Sequence, residues 1–415
     1  EGSTITINGT ITATNDFGND NRGVIDIKKN LTIQSKTGAD SDILNANRDN
    51  LGTNAHPVFR VSGGKTLTLK NLTLKGGKGI SGTFGGAINA TGGLSKAELT
   101  DCIIEDCEAD NGGAIGCGSG TTVKLKNTRI KKCKTSGSGS ASGGGAIFAQ
   151  GATVEMTGCT LTGNEAKSGG AIYAQKAGAP SNTPSTVTIS GGTIGGTEAA
   201  DANKATGTDS DNGFGGAVFI KGSTVALNGC TLEGNKAKNG GGVYMEGGNC
   251  TLNGSLKNNK TTEPASSYGG SIYLENGTLT MKTGAEISGS EASFSGGGVY
   301  ISARDGGTAS FTMEGGTISD CKVSSSNNPV DGGGVCVEVA HGSTGTANFI
   351  MQGGSITGCK AESGGLTGSP FGGGVCVKNR ATFDMTGGSI TGCKAEINHN
   401  AGTPESRGGG VYMEN

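Results

Sequence analysis

The chain has 415 residues, of which 82 are Gly and 7 are Pro, with 4% aromatic and 16% charged residues and no Trp. Gly does not recur at every third position, which excludes collagen, and a formal charge of −2 excludes a strong electrostatic pull on nucleic acid or anionic membrane. So few large apolar side chains argue against one bulky core and for a thin core shared along a repetitive chain.

Residues 1–60 hold strand-like runs at Thr4-Ile-Thr-Ile7, Val24-Ile-Asp-Ile27 and Leu31-Thr-Ile33 but no Gly-Gly pair. They are expected to form the first coils and an N-terminal cap. No stretch approaches the roughly 20 apolar residues of a membrane span, and no leader peptide opens the chain. It stops at Gly408-Gly-Gly-Val-Tyr-Met-Glu-Asn415, inside a recurring motif. The expectation is a piece of a longer protein whose targeting and anchoring segments lie elsewhere.

From residue 61 to 415 a Gly-Gly pair leading into Val or Ile recurs eleven times. It starts at Gly85, Gly112, Gly144, Gly169, Gly215, Gly241, Gly269, Gly297, Gly333, Gly373 and Gly409. The shortest spacings, 25 to 28 residues, set the unit, and longer ones are insertions. That period belongs to solenoids. Each unit carries three runs with β-branched or apolar residues at every second position, the period of a strand. They are the motif itself (Gly169-Gly-Ala-Ile-Tyr-Ala174), a second run (Thr153-Val-Glu-Met-Thr157) and a third (Cys159-Thr-Leu-Thr-Gly-Asn164).

Three short strands per coil predict an all-β chain wound as a right-handed parallel β-helix, with like residues stacked in columns. Ile88, Ile115, Ile147, Ile172, Val218, Val243, Ile272, Val299, Val335, Val375 and Val411 form one column. Val123, Val154, Val187, Val225, Leu279, Phe311, Phe349 and Phe383 form another. Burying each such side chain is worth roughly 1.5–3 kcal/mol.

The run Leu161-Thr-Gly-Asn-Glu-Ala-Lys-Ser-Gly-Gly-Ala-Ile-Tyr-Ala174 resembles the paired repeats of the chlamydial polymorphic outer-membrane proteins. Leu232-Glu-Gly-Asn235 with Gly241-Gly-Val-Tyr244 is a second instance. The resemblance spans about residues 60–415. This chain uses Leu or Ile where that family prefers Phe, and Cys in place of Asn at 107, 133, 321, 359 and 393. The resemblance implies a broader class of bacterial surface β-helix proteins. It also implies a cell-surface or extracellular location and an adhesive role toward a host protein or glycan.

The twelve Cys lack Cys-x-x-Cys spacing and nearby His, so no metal site is expected. They fall in repeat columns instead: Cys107, Cys133, Cys321, Cys359 and Cys393 with Asn164 and Asn235, then Cys102, Cys159 and Cys230, then Cys336 and Cys376. Register also predicts cross-coil charge pairs, Glu105 over Lys131, Asp106 over Lys132 and Glu108 over Lys134. Glu165 falls on the far side of Lys134.

Catalytic signals are thin. His56, His341 and His399 lie in separate segments, and Arg129-Ile-Lys131 lacks the companion motifs of polygalacturonases. No catalytic residue, cofactor or metal is assigned. The expected role is a non-enzymatic adhesin or a stalk presenting loops, with a polysaccharide lyase or glycoside hydrolase of acidic glycans as the alternative. Two features are candidates for binding. Alternation turns Phe148, Tyr173, Phe219, Tyr244, Tyr273 and Tyr300 outward as an aromatic stripe, which either meets a ligand or stacks under neighbouring loops. The insertions 135–143, 197–214, 323–332, 361–372 and 395–408 all fall at the turn leading into the Gly-Gly strand, along one edge.

Overall fold

The computed structural model describes residues 2–13, 25–51, 56–79, 84–137, 139, 142–263, 266–326, 328–364, 368–397 and 405–414. Val24, His399 and parts of the insertions at 138, 140–141, 327, 365–367 and 398–404 lie outside the described residues. The chain is a right-handed parallel β-helix, and the described residues contain one short helix, Arg48–Leu51. It divides into two compact units, Glu1–Asn212 and Gly213–Asn415.

In the first unit, parallel pairing begins at Ser3–Ile7, which lies in register with Leu31–Ser35. The motif column runs Phe59, Ile88, Ile115, Ile147, Ile172, each directly opposite the next. The second strand stacks Leu67, Ala97, Val123, Val154 and Val187. The third stacks Leu44, Leu74, Ile104, Ile130, Leu161 and Ile194. Apart from Leu44, these columns are at most 2% exposed.

The second unit repeats the plan. Val218, Val243, Ile272, Val299, Val335, Val375 and Val411 form its motif column. Val225, Cys250, Leu279, Phe311, Phe349 and Phe383 form the next. Cys250 thus fills a place among apolar residues that periodicity alone passes over. The three Phe stack face to face at 4.9 and 5.0 Å, the offset geometry ring quadrupoles favour. From Glu108–Ala109 onward a fourth short strand of two to four residues joins the three runs, as in Lys322–Ser325 paired with Lys360–Ser363.

The Gly-Gly motif has two separate physical reasons, visible at Gly269-Gly270. Gly269 sits at φ +66, which a side chain disfavours. Gly270 has no such backbone demand, but a Cβ there would fall on the Gly297 carbonyl oxygen of the next coil. This pairing of roles places five repeats one residue earlier than the sequence pattern does. The left-handed glycines are Gly240, Gly296, Gly332, Gly372 and Gly408, because a Gly triplet offers two possible pairs.

The turn column also explains its own Asn/Cys exchange. Buried Asn164 accepts a hydrogen bond from the Cys133 N–H at 3.0 Å and donates Nδ2 to the Ile130 carbonyl at 3.1 Å. Asn203 repeats this one coil on, donating to Leu161 at 2.9 Å. In the second unit Cys359 Sγ reaches the equivalent carbonyl of Ile318 at 3.8 Å. A thiol therefore does weakly what the amide does strongly. Two of the predicted charge pairs form as well, while Asp106 pairs with Lys75 and Glu165 with Lys204 instead. Lys131 meets Glu105 at 2.9 Å, Lys134 meets Glu108 at 3.5 Å, and Lys134 lies opposite Glu165. Exposed pairs of this kind contribute about 0.2–1 kcal/mol each.

Replacing Asn164 by Leu strands two buried backbone groups and is expected to cost about 1–3 kcal/mol. Asn164→Cys, which copies Cys133, is expected to cost clearly less. Urea midpoints of the two variants check the order, and equal losses would contradict the ladder.

Candidate functional site

The residue after each motif Val or Ile points away from the apolar column, as alternation requires. The six rings of the expected stripe, Phe148, Tyr173, Phe219, Tyr244, Tyr273 and Tyr300, occupy this row. They are nevertheless buried, between 1% and 4% exposed, so no open aromatic face exists there. Of the two expected alternatives, the rings stack under cover, and the burial has a specific cause. The residue just before the Gly pair folds back over the row, and in several coils it is itself aromatic. In the first unit Phe84 packs on Phe148 at 4.9 Å, and Phe148 on Tyr173 at 5.5 Å. In the second unit Phe214 stacks on Tyr244 at 4.4 Å, and Tyr268 packs on Tyr300 at 4.7 Å. Where no large side chain precedes the pair, space is left on purpose by geometry: a Cβ on Gly143 would fall on the Tyr173 ring.

Two residues further along each motif strand lies a second row on the same face. In the second unit it reads Lys221, Glu246, Glu275, Ser302, Glu338, Lys378 in successive coils. Lys221 and Glu246 pair at 2.7 Å. The next three open into a cleft of about 630 Å³, lined by Glu275, Ser302, Glu338, Arg304, Tyr300 and His341 among others. The strands Ile272–Glu275, Val299–Ala303 and Val335–Val339 supply its floor, and the turns after the last two supply its rim.

The cleft is polar and held in place. The Tyr244 hydroxyl donates to Glu275, and the Tyr300 hydroxyl donates to Glu338. Arg304 Nε lies 3.8 Å from Glu275. Its backbone N–H donates to Asn276 Oδ1 at 3.1 Å, which fixes the turn. Ser302 is fully buried and its hydroxyl has no partner, and the Tyr273 hydroxyl is in the same position. Each such group costs about 1–3 kcal/mol relative to a satisfied one, so the floor of this cleft is not optimised for stability alone.

Burial sets the ionisation of the site. It pushes the Glu338 carboxyl above its ordinary value, against the Tyr300 hydrogen bond that favours the anion. Burial likewise raises the Tyr244, Tyr273 and Tyr300 phenols. Of the three His, His341 lies on the cleft rim, while His56 is half-buried in the first unit with its Nδ1 atom buried and unpartnered. Arg129-Ile-Lys131 forms no site: Lys131 is taken up by Glu105, and Arg129 reaches Asp40 at 3.4 Å. Among the described residues, no group of three or more His, Cys, Asp or Glu is placed to hold a metal ion.

Sequence reading missed Glu275, Ser302, Glu338 and Arg304. The available signal was the fixed place of the first three, three residues after each motif Val or Ile, on the same side as the rings.

No family model matches the chain, and no curated protein does. Among solved structures it is similar to the catalytic domain of a GH87 alpha-1,3-glucanase in complex with nigerose, at 11% identity and a TM-score of 0.31. Two single-substitution forms of that domain match at 11% and 10% with the same TM-score. The alignment covers 92% of this chain but spans only 64% of the length of that one.

The buried phenols stay protonated in the fold above the ordinary phenol value of about 10 and ionise once unfolded. Their contribution to stability is complete below that pH and is lost as the pH rises beyond it. At pH 11 the 295 nm phenolate absorbance of the folded chain is expected to fall well short of that in urea. Equal absorbance would show the rings to be exposed.

Proposed function

We propose that this chain is a non-enzymatic β-helical surface module that holds a carbohydrate in the cleft of its second unit, in an adhesive role. The observation that carries the reading is the convergence of Glu275, Ser302 and Glu338 on consecutive coils beneath Arg304 and His341. Carboxylates and a guanidinium fixed by a rigid floor match the alternating donors and acceptors of sugar hydroxyls, and Tyr268 adds apolar ring surface beside them. With three acidic groups, Glu275, Glu338 and Asp305, against Arg304, the cleft favours a neutral or amino-bearing glycan over the acidic substrate of the alternative enzyme reading. The resemblance of the repeats to chlamydial surface proteins supports display outside the cell.

One observation favours a second reading, glycoside hydrolysis. Glu275 and Glu338 are two rungs apart, roughly 10 Å between Cα atoms. Inverting glycosidases hold their two carboxyl groups roughly 6.5–9.5 Å apart, with the acid kept protonated. Burial pushes Glu338 in that direction.

A glycan array probed with the full chain tests both readings. Retention of a neutral or amino-bearing glycan is expected, weakened at least about tenfold, or 1.4 kcal/mol, by Arg304→Ala with His341→Ala and unchanged by Lys124→Ala. Retention without new reducing ends supports the binding module. Reducing ends that vanish in Glu338→Gln establish the hydrolase instead. No retained glycan, or retention indifferent to Arg304 and His341, overturns the cleft as the site.

A further inference from the structure

Beside the cleft, the second unit buries a charged pair that the proposed function does not use. Asp331 precedes the Gly pair of one coil, and Lys378 ends the motif strand of the next, Val375–Lys378. Lys378 Nζ lies 3.0 Å from Asp331 Oδ2, with the Asp331 side chain 4% exposed and that of Lys378 23% exposed. An ion pair this deep has a large desolvation penalty and few of the hydrogen bonds that would offset it.

The surroundings are organised around the Asp331 carboxyl carbon. Ser295 Oγ donates to Oδ2 at 3.4 Å, and Cys376 Sγ approaches Oδ1 at 3.9 Å. The backbone cannot drift: the Asp331 N–H donates to the Phe294 carbonyl, and the Asp331 carbonyl accepts from Gly296 at 2.9 Å. Phe371 lies opposite Asp331 in register and stacks on Tyr412 at 4.8 Å, giving the pair an aromatic flank. Glu338 lies directly opposite Lys378 on the neighbouring strand. Burial raises the Asp331 and Glu338 carboxyls toward their neutral forms. Burial, the largest single influence, would lower Lys378, but the Asp331 charge and its hydrogen bond, with the nearby thiols, together hold the ammonium above its usual value.

We propose that Asp331 and Lys378 condense into a side-chain amide that covalently joins two adjacent coils of the second unit. Proton transfer within the pair gives a neutral amine and a neutral carboxylic acid. The Lys378 Nζ lone pair then attacks Asp331 Cγ, with charge on Oδ1 met by the Cys376 thiol. The C–Oδ2 bond breaks as Oδ2 takes a proton and leaves as water. The nitrogen loses its second proton, and Glu338, adjacent in register, carries a proton from the nitrogen to the leaving oxygen. Nothing is oxidised or reduced, and no co-reactant is needed. The competing closure of Asp331 onto the Gly332 N–H is hindered, because that N–H donates to the Phe371 carbonyl at 2.9 Å.

Intact mass of the full chain, denatured and reduced, is the test. The expected mass is lower than that of the sequence by one water, and digestion yields a branched peptide joining residues 331 and 378. Lys378→Arg and Asp331→Ala restore the full mass, and Glu338→Gln slows the loss of water after refolding. An unshifted wild-type mass overturns the cross-link. So does a water loss confined to an unbranched peptide at Asp331-Gly332, which is a cyclic imide, or one that persists in Lys378→Arg.

Discussion

Successive coils of this chain touch backbone to backbone where the Gly pair enters the motif strand, and most other features follow from that approach. With no Cβ at Gly270, the Gly297 carbonyl of the next coil closes against it. The coils are then fixed in register, so Ile272 stands on Val243 and under Val299. Each column is one side chain thick, which is why a chain with so few large apolar residues still has a closed interior. The same approach determines what the outer face can do. The residue preceding the Gly pair is brought over the first outward row, and its ring covers that row. The second outward row lies beyond its reach and, apart from buried Ser302, stays partly exposed, and there the cleft forms.

The thin interior also explains the cysteines. A position in a narrow turn must be small, must fill space and must meet a carbonyl from the coil before it. Asn meets all three demands with two strong hydrogen bonds, and Cys meets them with a weak one. All twelve thiols are free, and all but Cys393 are buried. Burial pushes Cys117, Cys230 and Cys250 to about 12. Thiols so rarely ionised at neutral pH are poor nucleophiles, so they behave as core residues rather than redox handles.

Much of the fold was legible because stacking turns a three-dimensional contact into a sequence period. Ile88, Ile115, Ile147 and Ile172 could be placed in one column from spacing alone, and Glu105 over Lys131 followed from it. The Gly triplets were misplaced by one residue because the sequence does not say which glycine carries the positive φ. The cleft was not legible for another reason. Alternation tells which side Tyr244 faces, but not that Phe214, thirty residues earlier in chain terms, closes over it. Whether an outward row is open depends on what the preceding loop brings with it. Glu275, Ser302 and Glu338 are also unlike one another, so no repeated letter marked their row.

Closeness of consecutive backbones can be measured through one methyl group. Gly270 has an ordinary φ, so Ala suits its backbone and would stabilise by about 0.4–1 kcal/mol through the unfolded chain if space were free. Gly178, with nothing within 4 Å of a new Cβ, is such a free site. The comparison is therefore the change in unfolding free energy for Gly270→Ala against Gly178→Ala. Stacked coils predict a loss of more than about 2 kcal/mol at Gly270, the overpacking regime, and no loss at Gly178. A neutral or stabilising Gly270→Ala would mean that the next coil does not lie against it, and the columns built on that contact would not stand.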